Sequence, residues 1–219
     1  MRKVKLTEET KKNILNDLLK RSPNNYGDYV ATVQEIVDHV AKEGDKAVFA
    51  YTEKFDHAHI TAETVKVTQA EIDAAYQEIE PELLAVIRKA LVNIREYHEK
   101  QKQYSWFDSK PNGTILGQKV TALSRVGVYV PGGKAVYPSS VLMNIVPAKV
   151  AGVGSIIMTT PCNAEGKVCA TTLVAACEAG VDAIYKVGGA QAIAALAYGT
   201  QSIPSVDKIV GPVNIFVAL

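Results

Sequence analysis

The sequence predicts an α/β fold: an N-terminal helical region followed by an incomplete, Rossmann-like parallel sheet with flanking helices. Two observations support this prediction. Residues 1–124 hold 37 of the 47 charged side chains, all four histidines and only four of the 15 glycines. In residues 125–219, short apolar segments alternate with helical patterns, which is typical of strand–helix–strand crossovers in a parallel sheet. We therefore predict a boundary near residue 125, between a helical region over residues 1–124 and a Rossmann-like domain over residues 125–219.

Four segments of the first half repeat apolar residues at helical spacing. These predicted helices are Thr7–Lys20, Asp28–Lys42, Ala47–Phe55 and Pro81–Gln103. The first begins with the start signal Thr-Glu-Glu-Thr, and the last begins with a proline, which the first helical turn tolerates. Between the third and fourth helices, Val65–Val67 is predicted to be a short strand.

Four apolar strands and the helices between them make up the second half. The predicted strands are Val126–Val130, Ser155–Thr160, Ala183–Val187 and Lys208–Val210. The predicted helices are Ser139–Val150, Lys167–Ala179, Ala190–Tyr198 and a last one that begins near Pro212. Pro147 is expected to kink the first of them. Because the chain stops at Leu219 within the last apolar helical segment, we expect a truncated domain.

The composition argues against several classes of partner. Lysine and arginine (24) nearly balance aspartate and glutamate (23), so no global basic field would attract nucleic acid or an anionic membrane. No apolar run approaches the roughly 18 to 20 residues of a membrane span. The chain has three cysteines, which cannot all form disulfide bonds with one another. We therefore interpret Cys162, Cys169 and Cys177 as the reduced thiols of a cytosolic protein. We therefore expect a cytoplasmic protein with no nucleic-acid or membrane partner.

Three predicted strands end in glycine-bearing loops, at the edge where parallel sheets bind ligands. The loops run from Tyr129 to Gly133, from Val187 to Gln191 and from Val210 to Asn214. They should bring together an aromatic ring and two amides, a combination that suits a planar, hydrogen-bonding ligand such as a nucleotide. These side chains are Tyr129, Gln191 and Asn214. Tight turns alone would also explain the glycines, and no G-x-G-x-x-G fingerprint follows a strand, so a standard Rossmann site is not predicted.

Other candidate residues each have a simpler interpretation. His57 and His59 could present two imidazoles to a metal ion, but a His-x-His in a polar stretch is more often part of a solvated loop, and we favour that interpretation. Cys162 could be the nucleophile of an aldehyde dehydrogenase-like enzyme, yet residues 125–219 contain no histidine to activate it. Lys134 could meet a phosphate or extend into solvent. Because this half also lacks a carboxylate pair, we expect it to hold a cofactor without performing a dehydrogenation alone.

Several long segments resemble histidinol dehydrogenases. They are Arg125–Val153 with its Val-Tyr-Val-Pro-Gly-Gly motif, Ala179–Gly199 with Lys-Val-Gly-Gly-Ala-Gln, Ile203–Pro212, and Gly44–Asp56 of the helical half. The chain is similar to the N-terminal half of that family. The resemblance implies a homodimeric, zinc-containing enzyme of histidine biosynthesis that oxidises L-histidinol to L-histidine with two molecules of NAD. The family's NAD-contacting residues fall on Tyr129, Gln191 and Asn214.

The sequence departs from the family pattern in two respects. Where the family has Gly-Pro-Gly-Asn, this chain has Gly211-Pro212-Val213-Asn214, and valine adopts a positive φ only at a cost, which affects the expected position of Asn214. Family chains are also about twice as long, and their zinc ligands and Glu-His acid/base pair have no counterpart here. The resemblance therefore implies that residues 1–124 are part of a domain completed by missing C-terminal sequence, and that residues 125–219 are an NAD-binding domain truncated at its end. We therefore expect no catalytic or metal-binding residue in this chain, and an inactive nucleotide-binding fragment or regulatory module is the alternative interpretation.

Overall fold

A computed structural model describes residue 5 and residues 7–21, 27–132, 136–212 and 214–219. The helices in these ranges are α1 (Glu8–Arg21), α2 (Gly27–Glu43), α3 (Asp45–Asp56), α4 (Gln69–Glu78), α5 (Pro81–Glu99), α6 (Pro138–Val150), α7 (Ala170–Ala179), α8 (Gly189–Tyr198) and α9 (Ile215–Ala218). The strands are β1 (Trp106–Ser109), β2 (Ile115–Gln118), β3 (Arg125–Tyr129), β4 (Ser155–Thr159), β5 (Ala183–Tyr185) and β6 (Lys208–Val210). The predicted α/β class is confirmed.

Four strands form a parallel sheet in the order β5-β4-β3-β6. The chain first proceeds outward from β3 through β4 to β5, and then returns to place β6 on the other side of β3. The strand order therefore reverses between β3 and β6, a point at which the loops that follow two adjacent strands diverge. Such a switch point opens a crevice at the carboxyl edge of the sheet, where ligands bind in this class of fold.

Helices from both halves of the chain cover the sheet. Helices α4 to α7 pack on one face with Val126, Val128 and Val130, whereas α2, α3 and α8 pack on the opposite face with Tyr129. Successive side chains of a strand point to opposite faces, which explains why the residues of β3 divide between two cores. The near-complete burial of β3 and β4 is typical of parallel strands covered on both sides. The domain division at residue 125 stays a prediction.

Several predicted elements differ from the observed ones. Helix α4 was not predicted, although Thr68 and Glu71 form a reciprocal capping box at its start, a signal that the sequence contains. Val65–Val67 is not a regular strand: it forms an isolated antiparallel bridge to β5, with the Val67 amide donating to the Ile184 carbonyl oxygen at 2.9 Å. Helix α7 begins at Ala170, because a turn closed by the Gly166 amide precedes it.

The antiparallel hairpin of β1 and β2 was likewise not predicted. All eight of its strand residues are exposed, including the apolar Trp106, Phe107, Ile115 and Leu116. Their pattern lacks the alternation of apolar and polar residues that marks a half-buried strand. Among the described residues, no helix is both long and apolar enough to cross a membrane.

Candidate functional site

Tyr129 is the last residue of β3 and lies at the switch point. Its side chain is 4% exposed, and its hydroxyl oxygen accepts a hydrogen bond from the Gly189 amide at 3.3 Å. Burial raises the pKa of Tyr129, which outweighs the opposing effect of this hydrogen bond. The phenol is therefore neutral at physiological pH, and its O–H group remains available as a donor.

Gln191 lies in the first turn of α8, beside the same glycine. Its side chain is only 1% exposed, and its Oε1 atom is buried without a hydrogen-bond partner among the described residues. A Cβ atom at Gly189, which has a φ of +66°, would lie 2.7 Å from this oxygen. Leaving such an acceptor unpaired costs about 1–3 kcal/mol. The second glycine loop thus presents an unsatisfied carbonyl oxygen beside Gly189, whose amide donates to the Tyr129 hydroxyl.

The third loop reaches the same edge through Gly211. This residue has a φ of +153°, and a Cβ atom there would overlap the carbonyl oxygen of Tyr129. Beyond it, Asn214 is the N-cap of α9, where its Oδ1 accepts a hydrogen bond from the Phe216 amide at 3.0 Å. The structure therefore places this loop against Tyr129, and it places Asn214 at the exposed start of α9. Three residues named in the sequence predictions, Gly133, Lys134 and Val213, lie outside the described residues.

Two other glycines of these loops have a packing explanation. Gly132 and Gly188 lie on either side of the Pro161 ring, and a Cβ atom at either position would come within 2.7 Å of it. A side chain would displace the ring, so both glycines are required for the loops to pack together. For this pair, close packing explains the glycines without a ligand.

A cleft of about 340 Å³ opens beside the rim, at the ends of β3 and β4. It is lined in part by Pro131, Gly132, Pro161 and Cys162. A larger cleft of about 620 Å³, which includes Tyr104 and Leu123, lies near the opposite edge of the sheet. The smaller cleft lies at the carboxyl ends of the strands, where ligands of parallel sheets bind. Tyr129, Gln191 and Asn214 are not among its lining residues, so we keep the cleft distinct from the candidate site that these three residues define.

Cys162 does not have the environment of a nucleophile. The thiol is buried and contacts the carbonyl oxygen of Lys186 at an Sγ–O distance of 3.8 Å. Burial raises the pKa of Cys162, and the nearby charge of Asp56 raises it further, whereas catalytic thiols have a lowered pKa. These features argue against the aldehyde dehydrogenase-like interpretation.

The two histidines that follow α3 do not form a metal site with other described residues. His57 adopts a left-handed conformation with a φ of 57° at the C-cap of the helix. His59 is exposed and lies 3.8 Å from Glu53. No group of three or more histidine, cysteine, aspartate or glutamate side chains among the described residues could hold a metal ion.

One carboxyl group near the rim was not predicted from the sequence. Asp56 is the last residue of α3, and its Oδ2 atom is buried without a hydrogen-bond partner among the described residues. Burial raises the pKa of Asp56, although His57 acts in the opposite direction. Its charge also raises the pKa values of Tyr129 and Cys162, so the carboxyl group lies within electrostatic range of the ends of β3 and β4. One aspartate among many charged residues carries no signal in the sequence.

Comparisons with known proteins agree with the resemblance. The family model described as histidinol dehydrogenase matches residues 19–219. The histidinol dehydrogenase of Halalkalibacterium halodurans is 56% identical over 187 residues, which are 85% of this chain and 44% of that protein. That of Clostridium acetobutylicum is 54% identical over 202 residues, or 92% of this chain and 46% of that protein. The crystal structure of histidinol dehydrogenase from Elizabethkingia anophelis has a TM-score of 0.81 and 36% identity, covering 85% of this chain and 43% of that chain.

The chain thus spans about half the length of the curated relatives that it matches. This share agrees with the prediction that the sequence corresponds to the N-terminal half of the family. The similarity includes the glycine loops and most of the helical region, and the matching crystal structure shows that the fold is shared. The chain belongs to the histidinol dehydrogenase family.

Proposed function

We propose that this chain is the NAD-binding portion of an L-histidinol dehydrogenase, which oxidises L-histidinol to L-histidine in histidine biosynthesis. The buried and unpaired Oε1 atom of Gln191, beside the glycine whose amide bonds Tyr129, is the observation that carries the proposal. Buried polar atoms of native proteins are rarely unpaired, so this oxygen requires a hydrogen-bond donor that the described chain does not supply, and we propose that NAD supplies it. The ribose hydroxyls and the amide and amino groups of NAD are such donors.

Each site residue has a distinct role in this proposal. The neutral Tyr129 phenol contributes a planar surface and an O–H donor, and Gln191 accepts a hydrogen bond from the cofactor. Asn214 contributes its amide group from the start of α9. The N-terminus of α8, which begins at Gly189, adds backbone amides that favour a negatively charged group. When bound, NAD supplies the hydride acceptor of the oxidation.

Zinc and the catalytic acid/base groups belong to the proposal for the whole enzyme. The described residues provide no set of metal ligands, so we assign no step to zinc in this chain. The homodimer and the binding of L-histidinol are likewise proposed for the whole enzyme, by analogy with the family. The three free cysteines support a location in the reducing cytoplasm. For this chain alone, we expect NAD binding without turnover.

Calorimetric titration of the chain with NAD tests the proposal. The wild-type chain should bind saturably, and Gln191→Ala should bind about tenfold more weakly, as expected for one lost hydrogen bond. Gln34→Ala is the matched control, because Gln34 is exposed on α2 and bonds only Asp38. Thermal melting confirms that each variant is folded. Absence of saturable NAD binding by the wild type, or unchanged binding by Gln191→Ala, would overturn the proposal.

A further inference from the structure

We infer that Asp56 belongs to the nucleotide site, where its carboxylate accepts hydrogen bonds from a ribose diol and selects NAD over its 2′-phosphorylated form. This inference rests on the proposed function. It assigns a specificity role to a residue of the N-terminal helical region.

Asp56 reaches the site because α3 packs beside the sheet. Helix α3 contacts α8, the helix that carries Gln191. Residues on either side of Asp56, Tyr51 and Ala58, share one hydrophobic core with Tyr129 and Cys162. The end of α3 therefore lies at the carboxyl edge of the sheet, and its last side chain is held near the ends of β3 and β4.

The chain itself does little to stabilise the charge of Asp56. Its Oδ2 atom is buried without a partner, and no lysine or arginine of the described ranges forms an ion pair with it. Its position at the C-terminal end of a helix is also unfavourable, because the helix dipole is negative there. The Oδ2 atom of Asp56 can therefore still accept a hydrogen bond, and a ligand can donate it.

A ribose diol matches this capacity. Its adjacent hydroxyl groups donate two hydrogen bonds, and a carboxylate has two oxygens that accept them. In standard dinucleotide-binding folds, an acidic residue about 20 positions after the glycine loop performs this role. Residues 149–153, at this spacing after the first glycine loop, include no acidic residue, and Asp207, at this spacing after the second, accepts a hydrogen bond from the Arg125 amide at the start of β3. Asp56 brings a carboxylate within electrostatic range of Tyr129 from elsewhere in the chain. A 2′-phosphate would remove one donor and add negative charge next to the carboxylate.

Titrations of the full chain and its Asp56→Asn variant with NAD and with NADP test the inference. The substitution preserves shape and removes the charge. The wild type should prefer NAD, and the variant should lower the ratio of NAD to NADP affinity by at least about tenfold, as expected for a charge-assisted hydrogen bond. Glu53→Gln is the matched control, since Glu53 is an exposed carboxylate on the same helix.

The possible outcomes separate this inference from the proposed function. If the wild type binds NAD and folded Asp56→Asn keeps the same ratio, the inference fails and the proposed function survives. If the wild type binds neither nucleotide, both fail. Titration with L-histidinol tests the competing ligand, because its ammonium group could also pair with a carboxylate. If Asp56→Asn weakens histidinol binding and leaves NAD binding unchanged, the carboxylate serves the ammonium group and the inference is wrong.

Discussion

Replacing Glu71 by glutamine should destabilise the protein through the buried lysine that Glu71 neutralises. Lys186 follows β5, and its Nζ lies 2.8 Å from Glu71 Oε1. The lysine side chain is 6% exposed and the glutamate side chain 32% exposed. Glutamine keeps the length of the side chain and can still complete the capping box of α4, so the substitution removes mainly the charge.

The expected loss follows from the unequal burial of the pair. Removing one partner of a buried ion pair costs about 3–5 kcal/mol, because the other charge stays buried and unpaired. Since water reaches a third of Glu71, we expect a smaller loss of about 2–3 kcal/mol. For a chain of this size, such a loss lowers the melting temperature by about 5–10 °C.

The pH dependence gives a second readout. Burial by itself raises the pKa of Glu71, but the hydrogen bonds from Lys186 and Thr68 outweigh it and the pKa is lowered. A lowered carboxyl pKa stabilises the fold above the ordinary value near 4.5, and this contribution disappears as the pH falls through the folded-state pKa. The difference between wild type and Glu71→Gln should therefore shrink in acid.

Differential scanning calorimetry between about pH 7 and about pH 3 measures both the lowered melting temperature and its dependence on pH. This interval includes the pH values of about 4 at which carboxyl groups ordinarily titrate, about 3.9 for aspartate and about 4.3 for glutamate. Glu43→Gln is the control, because Glu43 forms an ion pair of similar length, 2.9 Å, with a Lys46 side chain that is 82% exposed. Its melting temperature should stay close to that of the wild type. Equal shifts in the two variants, or a Glu71→Gln deficit that persists in acid, would refute the reasoning.

Three further predictions concern the rim and the thiols. Gly211→Ala should lower the free energy of unfolding by about 3 kcal/mol in urea denaturation, because the new Cβ atom would overlap the Tyr129 carbonyl oxygen and the residue has a positive φ. Gly27→Ala is the control and should leave this free energy unchanged, because a Cβ atom there has free space around it. Asp56→Asn should raise the melting temperature at neutral pH. Burial raises the pKa of Asp56 in the folded state, so the ionised carboxylate destabilises the fold, and asparagine removes that charge. A gain in melting temperature that does not fade in acid would contradict this. A thiol reagent should modify exposed Cys169 faster than buried Cys162, and Cys169→Ser should abolish the fastest phase; its persistence would show that another thiol reacts first.

The sequence predicted the parallel sheet well, because its signals are local. Each strand of the sheet is a short apolar run, and a glycine loop ends three of the four. The predicted strands β3, β4 and β6 agree with the observed ones within one residue at either end. Tyr129 and Gln191 could be placed on one rim because the carboxyl ends of neighbouring parallel strands meet at the same edge. Helix α4 was within reach too, since its capping box is visible in the sequence.

Other features depend on contacts between residues that are distant in the chain. The need for glycine at positions 132 and 188 comes from the ring of Pro161, which packs between two loops. Lys66 forms its isolated bridge to Tyr185 because β5 is an edge strand of the sheet and can pair with another segment. The hairpin of β1 and β2 is held by pairing between its own strands, without the burial that a sequence pattern would record.

By itself, the sequence determined the α/β architecture, the glycine-bearing rim and the family of this protein, since these are carried by local patterns and extended identity. Only the tertiary structure decided which side chains at the rim lack partners. The unpaired oxygens of Gln191 and Asp56 belong to α8 and α3, two helices from different parts of the chain that pack against each other. Burial and hydrogen bonding are properties of the packed chain, so no local pattern of residues could have indicated them.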